Sequence, residues 1–87
     1  MYGLFFTKKA VNDIQKLKSV KLSEKAKLLI KIIKENPFQS PPPYEKLSGD
    51  LKGGYSRRIN IKHRLVYQVL EPENTIKILS MWSHYEF

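Results

Sequence analysis

The chain has 87 residues and a formal net charge of +8 at pH 7, with 16 lysines and arginines against 8 aspartates and glutamates. This length fits one domain, which we expect to span residues 1–87, and the basic charge favours a polyanionic partner such as nucleic acid or an acidic protein. Cysteine is absent and there are two histidines, which excludes disulfides and thiolate metal sites, so we expect no metal and no cofactor. The apolar run at residues 3–6 is too short for a signal-peptide core or a membrane span, so we expect a cytoplasmic protein without membrane contact.

The first half of the chain is patterned for a strand followed by two helices. Residues 2–6 are apolar and rich in aromatic side chains, which is typical of a buried strand. Thr7 and Ser23 are predicted to cap the two helices, and Asn36 and Pro37 to end the second, because proline disfavours helical geometry in the residue before it. Apolar residues at helical spacing predict the buried face of each helix: Ala10, Ile14 and Leu17 in the first, and Ala26, Leu29, Ile30 and Ile33 in the second.

The second half is patterned for strands separated by turns. Four segments are rich in β-branched or aromatic residues: residues 44–47, 55–61, 64–71 and 75–82. Strands this close in sequence are expected to pair antiparallel. We therefore predict an α+β fold, in which an N-terminal strand and a two-helix hairpin pack on a mostly antiparallel sheet of four to five strands.

Three residues in the second half have the side chains that metal-free RNA cleavage needs. When the 2′-hydroxyl of RNA attacks the adjacent phosphorus, a base takes its proton, a cation stabilises the phosphorane and an acid protonates the leaving 5′-oxygen. Glu45, Arg64 and His84 are of these types and lie at or next to predicted strand ends, which can meet at one edge of an antiparallel sheet. Taken singly, Glu45 also fits a surface carboxylate, and Arg64 an ion-pair partner of Asp50 or Glu71.

The order and spacing of several motifs resemble one family of bacterial toxins. The motifs are NPF at residues 36–38, ExL at 45–47, GYSRRINIKHRLVYQV at 54–69 and WSHY at 82–85. Together they resemble the YoeB/Txe toxins of the RelE superfamily, which belong to type II toxin–antitoxin systems. The resemblance is most specific at residues 56–59 and 63–67, whereas the two predicted helices match only in pattern.

The resemblance implies a function for each matching residue. Glu45 becomes the general base and His84 the general acid, while Arg64 becomes the cation at the scissile phosphate. Arg58 becomes a second phosphate contact, and Tyr85 positions the nucleotide or the scissile phosphate.

Two positions depart from the family pattern. Ser48 stands where relatives often have a lysine, so phosphate binding there passes to Lys46 or Lys52 or is lost. Ser83 stands where relatives commonly have a tyrosine. The other imidazole, His63, is interpreted as a structural residue of the turn at residues 60–63 rather than as the acid.

The resemblance implies a metal-independent endoribonuclease that cleaves messenger RNA on the ribosome and inhibits translation. It also implies a cognate antitoxin, acidic and partly disordered like YefM or Axe, and contact with operator DNA only through the complex with that antitoxin. Two alternatives remain open. One is a non-catalytic poison on the same fold, like the ParE relatives, and the other is a plain RNA-binding domain in which Arg57, Arg58 and Arg64 bind phosphates.

Overall fold

The computed structural model describes residues 1–47 and 53–82. Within these residues a five-stranded sheet packs against two helices. The elements in chain order are β1 (Gly3–Phe6), α1 (Lys8–Ser19), α2 (Ser23–Glu35), β2 (Glu45–Lys46), β3 (Gly54–Arg58), β4 (Arg64–Leu70) and β5 (Thr75–Ser80). Neither of these helices is long and apolar enough to cross a membrane.

The sheet has the strand order β1-β5-β4-β3-β2. β1 runs parallel to β5, with Leu4 opposite Ile76, while β5–β4, β4–β3 and β3–β2 are antiparallel. The parallel pair joins the first strand of the described residues to the last one. The two helices follow β1 directly in the sequence. The predicted α+β fold with a mostly antiparallel sheet is confirmed.

The start of α1 is as predicted, whereas the start of α2 is not. The Thr7 hydroxyl oxygen accepts a hydrogen bond from the Ala10 N–H at 3.1 Å and so caps α1. Ser23 is the first helical residue of α2, and Leu22 occupies the cap position without a side-chain cap hydrogen bond. Lys21 has a φ of 61° in the turn between the helices, and the half-buried Leu22 packs against the core. Apolar packing at Leu22 therefore takes the place of the expected polar cap.

The core lies between the helices and one face of the sheet. Because successive strand side chains point to opposite faces, alternate residues of β4 and β5 meet the buried faces of α1 and α2. The buried residues in this core are Ala10, Leu17, Ala26, Leu29, Ile33, Ile59, Leu65, Tyr67, Ile76, Ile78 and Met81. Ile14 and Ile30 pack partly buried against it, so the predicted helix faces are confirmed.

Strands β3 and β5 end earlier than the sequence pattern predicts, and side-chain hydrogen bonds are found just after the end of each strand. The Asn60 Oδ1 atom accepts hydrogen bonds from the N–H groups of Lys62 and His63 at 2.9 and 2.7 Å, which forms the predicted turn after β3. The Met81 N–H donates to the Asp13 carboxylate at 3.0 Å, and β5 ends at Ser80. Asp13 thereby ties α1 to the point where the chain leaves the sheet.

The contact between Asp13 and Met81 predicts a loss of stability when the carboxylate is removed. Asp13 is 1% exposed, and its Oδ2 atom accepts from the Met81 N–H and from Lys9 Nζ. We expect Asp13→Ala to lower the free energy of unfolding by about 1–3 kcal/mol, because a buried N–H loses its acceptor. Urea unfolding measures this value. The control Lys9→Ala removes one of the two exposed lysines that pair with Asp13 and should change the free energy of unfolding by less than about 1 kcal/mol. Equal losses in both variants would contradict the assignment.

Candidate functional site

The face of the sheet opposite the helices carries the polar residues of the candidate site. A row of side chains crosses β2, β3 and β4 in register, in the order Glu45, Ser56 and Val66. Arg58 on β3 and Arg64 on β4 also lie opposite each other, and each is two residues away from Ser56 or Val66 on its own strand. Strand residues two apart share a face, so all of these side chains belong to one surface, which we call the open face.

A cleft of about 190 Å³ lies on the open face. Its lining residues come from β2 with the segment before it, from β3 and from β4: Pro43, Tyr44, Glu45, Ser56, Arg58 and Arg64. Like charges that face each other across neighbouring strands are destabilising, and Arg58 and Arg64 are such a pair. With two guanidinium groups and one carboxylate, the cleft favours an anionic ligand.

Glu45 and Arg64 form an ion pair across this cleft, with Oε1 and Nη1 3.4 Å apart. They belong to β2 and β4, and the strand between them carries only the small Ser56 at the position opposite Glu45. The Glu45 side chain is 66% exposed, and ion pairs with so exposed a partner contribute about 0–1 kcal/mol. An anionic ligand can therefore replace Glu45 at Arg64 at little cost.

Two polar atoms at the cleft, Ser56 Oγ and Arg64 Nε, are buried and have no hydrogen-bond partner. A buried polar group left unpaired costs about 1–3 kcal/mol, so such groups are rare in folded proteins. Ser56 was not among the residues predicted for the site. Its two-residue spacing from Arg58 was the available signal, because in a strand that spacing places both side chains on one face.

Arg57 lies on the other face, which contradicts the prediction that it binds phosphate. It is 1% exposed. Its Nε donates to the Tyr67 hydroxyl at 3.0 Å, Nη1 to the Pro42 carbonyl at 2.6 Å and Nη2 to the Pro37 carbonyl at 3.0 Å. Burial raises the pKa of Tyr67, so its hydroxyl keeps its proton and donates to the Pro37 carbonyl at 2.8 Å. The Tyr44 ring lies 4.9 Å from the guanidinium, and each nitrogen of Arg57 is engaged within the protein.

The other predicted site residues lie outside the cleft or outside the described residues. Lys46 is exposed next to Glu45 and does not line the cleft. The positions outside the described residues are Ser48, Asp50, Lys52, Ser83, His84 and Tyr85. Glu71, the other partner considered for Arg64, instead accepts hydrogen bonds from the Tyr2 hydroxyl at 3.2 Å. In residues 1–47 and 53–82, no three metal-binding side chains of the His, Cys, Asp and Glu types are grouped so that they could hold a metal ion.

The chain leaves β5 beside the candidate site. The Trp82 ring stacks on the His63 ring, with centroids 4.2 Å apart and planes at 25°. His63 Nδ1 also forms a hydrogen-bond contact with the Trp82 carbonyl oxygen. These contacts agree with the structural interpretation of His63. Because His63 immediately precedes Arg64, they also hold Trp82, two residues before His84, close to the start of β4.

The sequence matches, over residues 6–85, the family described as YoeB-like toxin of bacterial type II toxin–antitoxin system. The chain belongs to this YoeB-like toxin family. A toxin YoeB from Synechocystis sp. is 41% identical to it over 66 residues, which cover 76% of this chain and 74% of that protein. The predicted membership is confirmed, and the YoeB-like chain is a toxin of a type II toxin–antitoxin system.

Solved structures of YoeB proteins have the same fold. The YoeB/ParE toxin from Agrobacterium tumefaciens aligns with a TM-score of 0.85 and 30% identity, covering 95% of this chain and 99% of that one. The YoeB–YefM complex from Staphylococcus aureus contains a chain that aligns with a TM-score of 0.79 and 38% identity, covering 98% and 99%. The intact RelBE complex from Escherichia coli aligns with a TM-score of 0.76 at 22% identity, which confirms the RelE-like fold.

The two neighbouring arginines of β3 should respond to substitution in different ways. We expect Arg57→Met to lower the free energy of unfolding by at least about 2 kcal/mol, because the Pro42 carbonyl loses its donor and the Pro37 carbonyl and Tyr67 hydroxyl each lose one of their hydrogen bonds. Arg58→Met removes an exposed side chain and should leave stability within about 0.5 kcal/mol of the parent. Thermal and urea unfolding of both variants measure the difference. A stable Arg57→Met protein would show that the buried guanidinium is not required for the fold.

Proposed function

We propose that this YoeB-like toxin is an endoribonuclease that cleaves messenger RNA on the ribosome through attack by the 2′-hydroxyl. The observation that supports the proposal is the ion pair of Glu45 and Arg64 in a cleft that Arg58 also lines. A carboxylate beside two guanidinium groups supplies a base for the attacking hydroxyl and cations for the developing negative charge. The basic net charge of +8 supports a polyanionic substrate.

In the proposed reaction, the Glu45 carboxylate takes the proton of the 2′-hydroxyl as the 2′-oxygen forms a bond to phosphorus. Arg64 and Arg58 stabilise the negative charge on the non-bridging oxygens. The bond between phosphorus and the 5′-oxygen breaks, and His84 donates a proton to this leaving oxygen. One product ends in a 2′,3′-cyclic phosphate and the other in a 5′-hydroxyl, so the cleavage step itself consumes no water.

The assignments of His84 and Tyr85 come from the WSHY motif at residues 82–85, which falls within the family match. The path of the chain supports them, because Trp82 is held against His63, the residue before Arg64. Tyr85 is proposed to position the nucleotide, with Lys46 and Lys52 as further phosphate contacts.

The proposed partners are an antitoxin, the ribosome and messenger RNA. YoeB from Staphylococcus aureus has been solved in a complex with YefM, and we propose that this chain likewise binds an acidic, partly disordered antitoxin. Contact with operator DNA is proposed only for that complex. The cytoplasm, where ribosomes and messenger RNA are found, is the proposed compartment.

Replacing Glu45 by Gln should abolish cleavage while preserving binding, because the amide cannot accept the 2′-hydroxyl proton. The change also frees Arg64 from its ion pair, so RNA should bind at least as tightly as to the parent. Single-turnover cleavage of messenger RNA on programmed ribosomes, with mapped product ends, measures the first effect, and a binding assay measures the second. Glu24→Gln on α2 removes the same charge from an exposed helix position and is the matched control.

The outcomes of this experiment separate the candidate functions. Parent-like turnover in Glu45→Gln would remove the carboxylate from the mechanism. If the parent itself cuts no RNA with or without ribosomes, the non-catalytic alternatives, a ParE-like poison or a plain RNA-binding domain, become the better account.

Arg64→Lys should also lower the cleavage rate, but for a different reason than Glu45→Gln. Lysine keeps the positive charge but lacks the planar fork that holds two phosphoryl oxygens at once. We expect lower single-turnover rates with little change in ground-state affinity. Normal turnover in this variant would assign the phosphate contact to Arg58 instead.

His84→Gln should leave the fold intact and lower the cleavage rate by roughly 10²–10⁴, the usual contribution of a general acid. His63→Gln is the comparison, because it keeps a polar side chain but loses the ring that stacks on Trp82. We expect it to lower the unfolding temperature more than the rate. Cleavage by His84→Gln within a few-fold of the parent would exclude His84 as the acid.

A further inference from the structure

We propose that the Ser56 hydroxyl and Arg64 Nε form a binding site for the phosphoryl oxygens of a phosphodiester on the floor of the cleft. The proposal rests on the proposed function and adds Ser56 to the residues that contact substrate. It starts from the two buried atoms at the cleft that have no hydrogen-bond partner, Ser56 Oγ and Arg64 Nε.

The chemistry of these two atoms indicates the kind of ligand. Arg64 Nε can only donate a hydrogen bond, and the Ser56 hydroxyl can donate one. Both residues line the same cleft and belong to the open face, and Ser56 is 3% exposed. A ligand with several acceptor oxygens and a negative charge satisfies both donors, and a phosphodiester has two such non-bridging oxygens.

The charged side chains around the cleft also favour a phosphodiester as the ligand. Arg58 faces Arg64 in the sheet register and lines the cleft. Glu45, the carboxylate of the cleft, is mostly exposed and lies 3.4 Å from Arg64 Nη1. A phosphodiester that enters the cleft takes over Arg64 and releases Glu45. The freed carboxylate then lies beside the bound phosphate, where it can accept the proton of the 2′-hydroxyl.

Ser80 offers a comparison outside the cleft. It pairs with Val66 on the opposite side from Ser56, next to the irregularity at which the β4–β5 register shifts between Val66 and Tyr67. Ser80 is 2% exposed and its hydroxyl is also unpaired, but it does not line the cleft. The two serines therefore share burial and lack of a partner and differ in access to the proposed ligand.

The test measures binding of an oligodeoxynucleotide to the full chain and to Ser56→Ala and Ser80→Ala. This probe has phosphodiesters but no 2′-hydroxyl, so cleavage by 2′-oxygen attack cannot occur. At constant salt, Ser56→Ala should weaken binding by roughly 10-fold or more, the usual effect of losing a hydrogen bond to a charged group, and Ser80→Ala by less than 2-fold. Both variants should unfold at or above the parent temperature, because each removes an unpaired buried hydroxyl.

A second measurement uses the unchanged protein with inorganic phosphate. Nitrogen–proton NMR spectra resolve arginine Nε–H signals, and the Arg64 signal should shift on titration more than that of the buried Arg57. Parent-like binding by Ser56→Ala, equal losses in both serine variants or an unmoved Arg64 signal would overturn the proposal. These binding results do not depend on cleavage, so an inactive parent that still binds through Ser56 would refute the proposed function alone.

Discussion

The buried guanidinium of Arg57 joins three parts of the protein that are distant in sequence. From β3 it donates hydrogen bonds to Tyr67 on β4 and to the carbonyl groups of Pro37 and Pro42 in the segment between α2 and β2. A buried charge without partners is very unfavourable, so this segment is held where its carbonyl groups can reach the guanidinium. β2 begins three residues after Pro42, and the position of Glu45 therefore depends on Arg57.

The alternation of side chains along β3 separates the buried Arg57 from the residues proposed to bind substrate. Arg57 points into the layer between sheet and helices, while Ser56 and Arg58 belong to the open face. The same alternation on β4 sends Leu65 to the core and Arg64 to the cleft. A slip of one residue in the pairing of these strands would exchange the two sets, so the buried contacts of Arg57 also fix the register on which the cleft depends.

The sequence predicted the helices and strands better than it predicted which arginine side chains are available to bind phosphate. Helical spacing and the Thr7 cap depend on local chemistry, and both were confirmed. The cap of α2 failed because tertiary packing of Leu22 replaced a polar side chain. Arg57 was misassigned although Tyr55 and Ile59, two residues away on either side, both pack in or against the core. The meeting of Glu45 with Arg64 requires the strand order, which spacing along the chain does not determine.

Arg57 and Arg64 differ in how fully the protein satisfies their guanidinium groups. The fold gives each nitrogen of Arg57 an acceptor, although these acceptors come from distant segments. It leaves Arg64 with an unpaired Nε, a like-charged neighbour in Arg58 and one long contact to an exposed carboxylate. The first two features lower the stability of the free protein and the third stabilises it little, so a single anion in the cleft would relieve the first two and replace the third. Binding of the proposed substrate would therefore recover the stability that the free protein loses at Arg64. When the phosphate replaces Glu45 at Arg64, the Glu45 carboxylate is left beside the phosphate, where the proposed reaction requires its base.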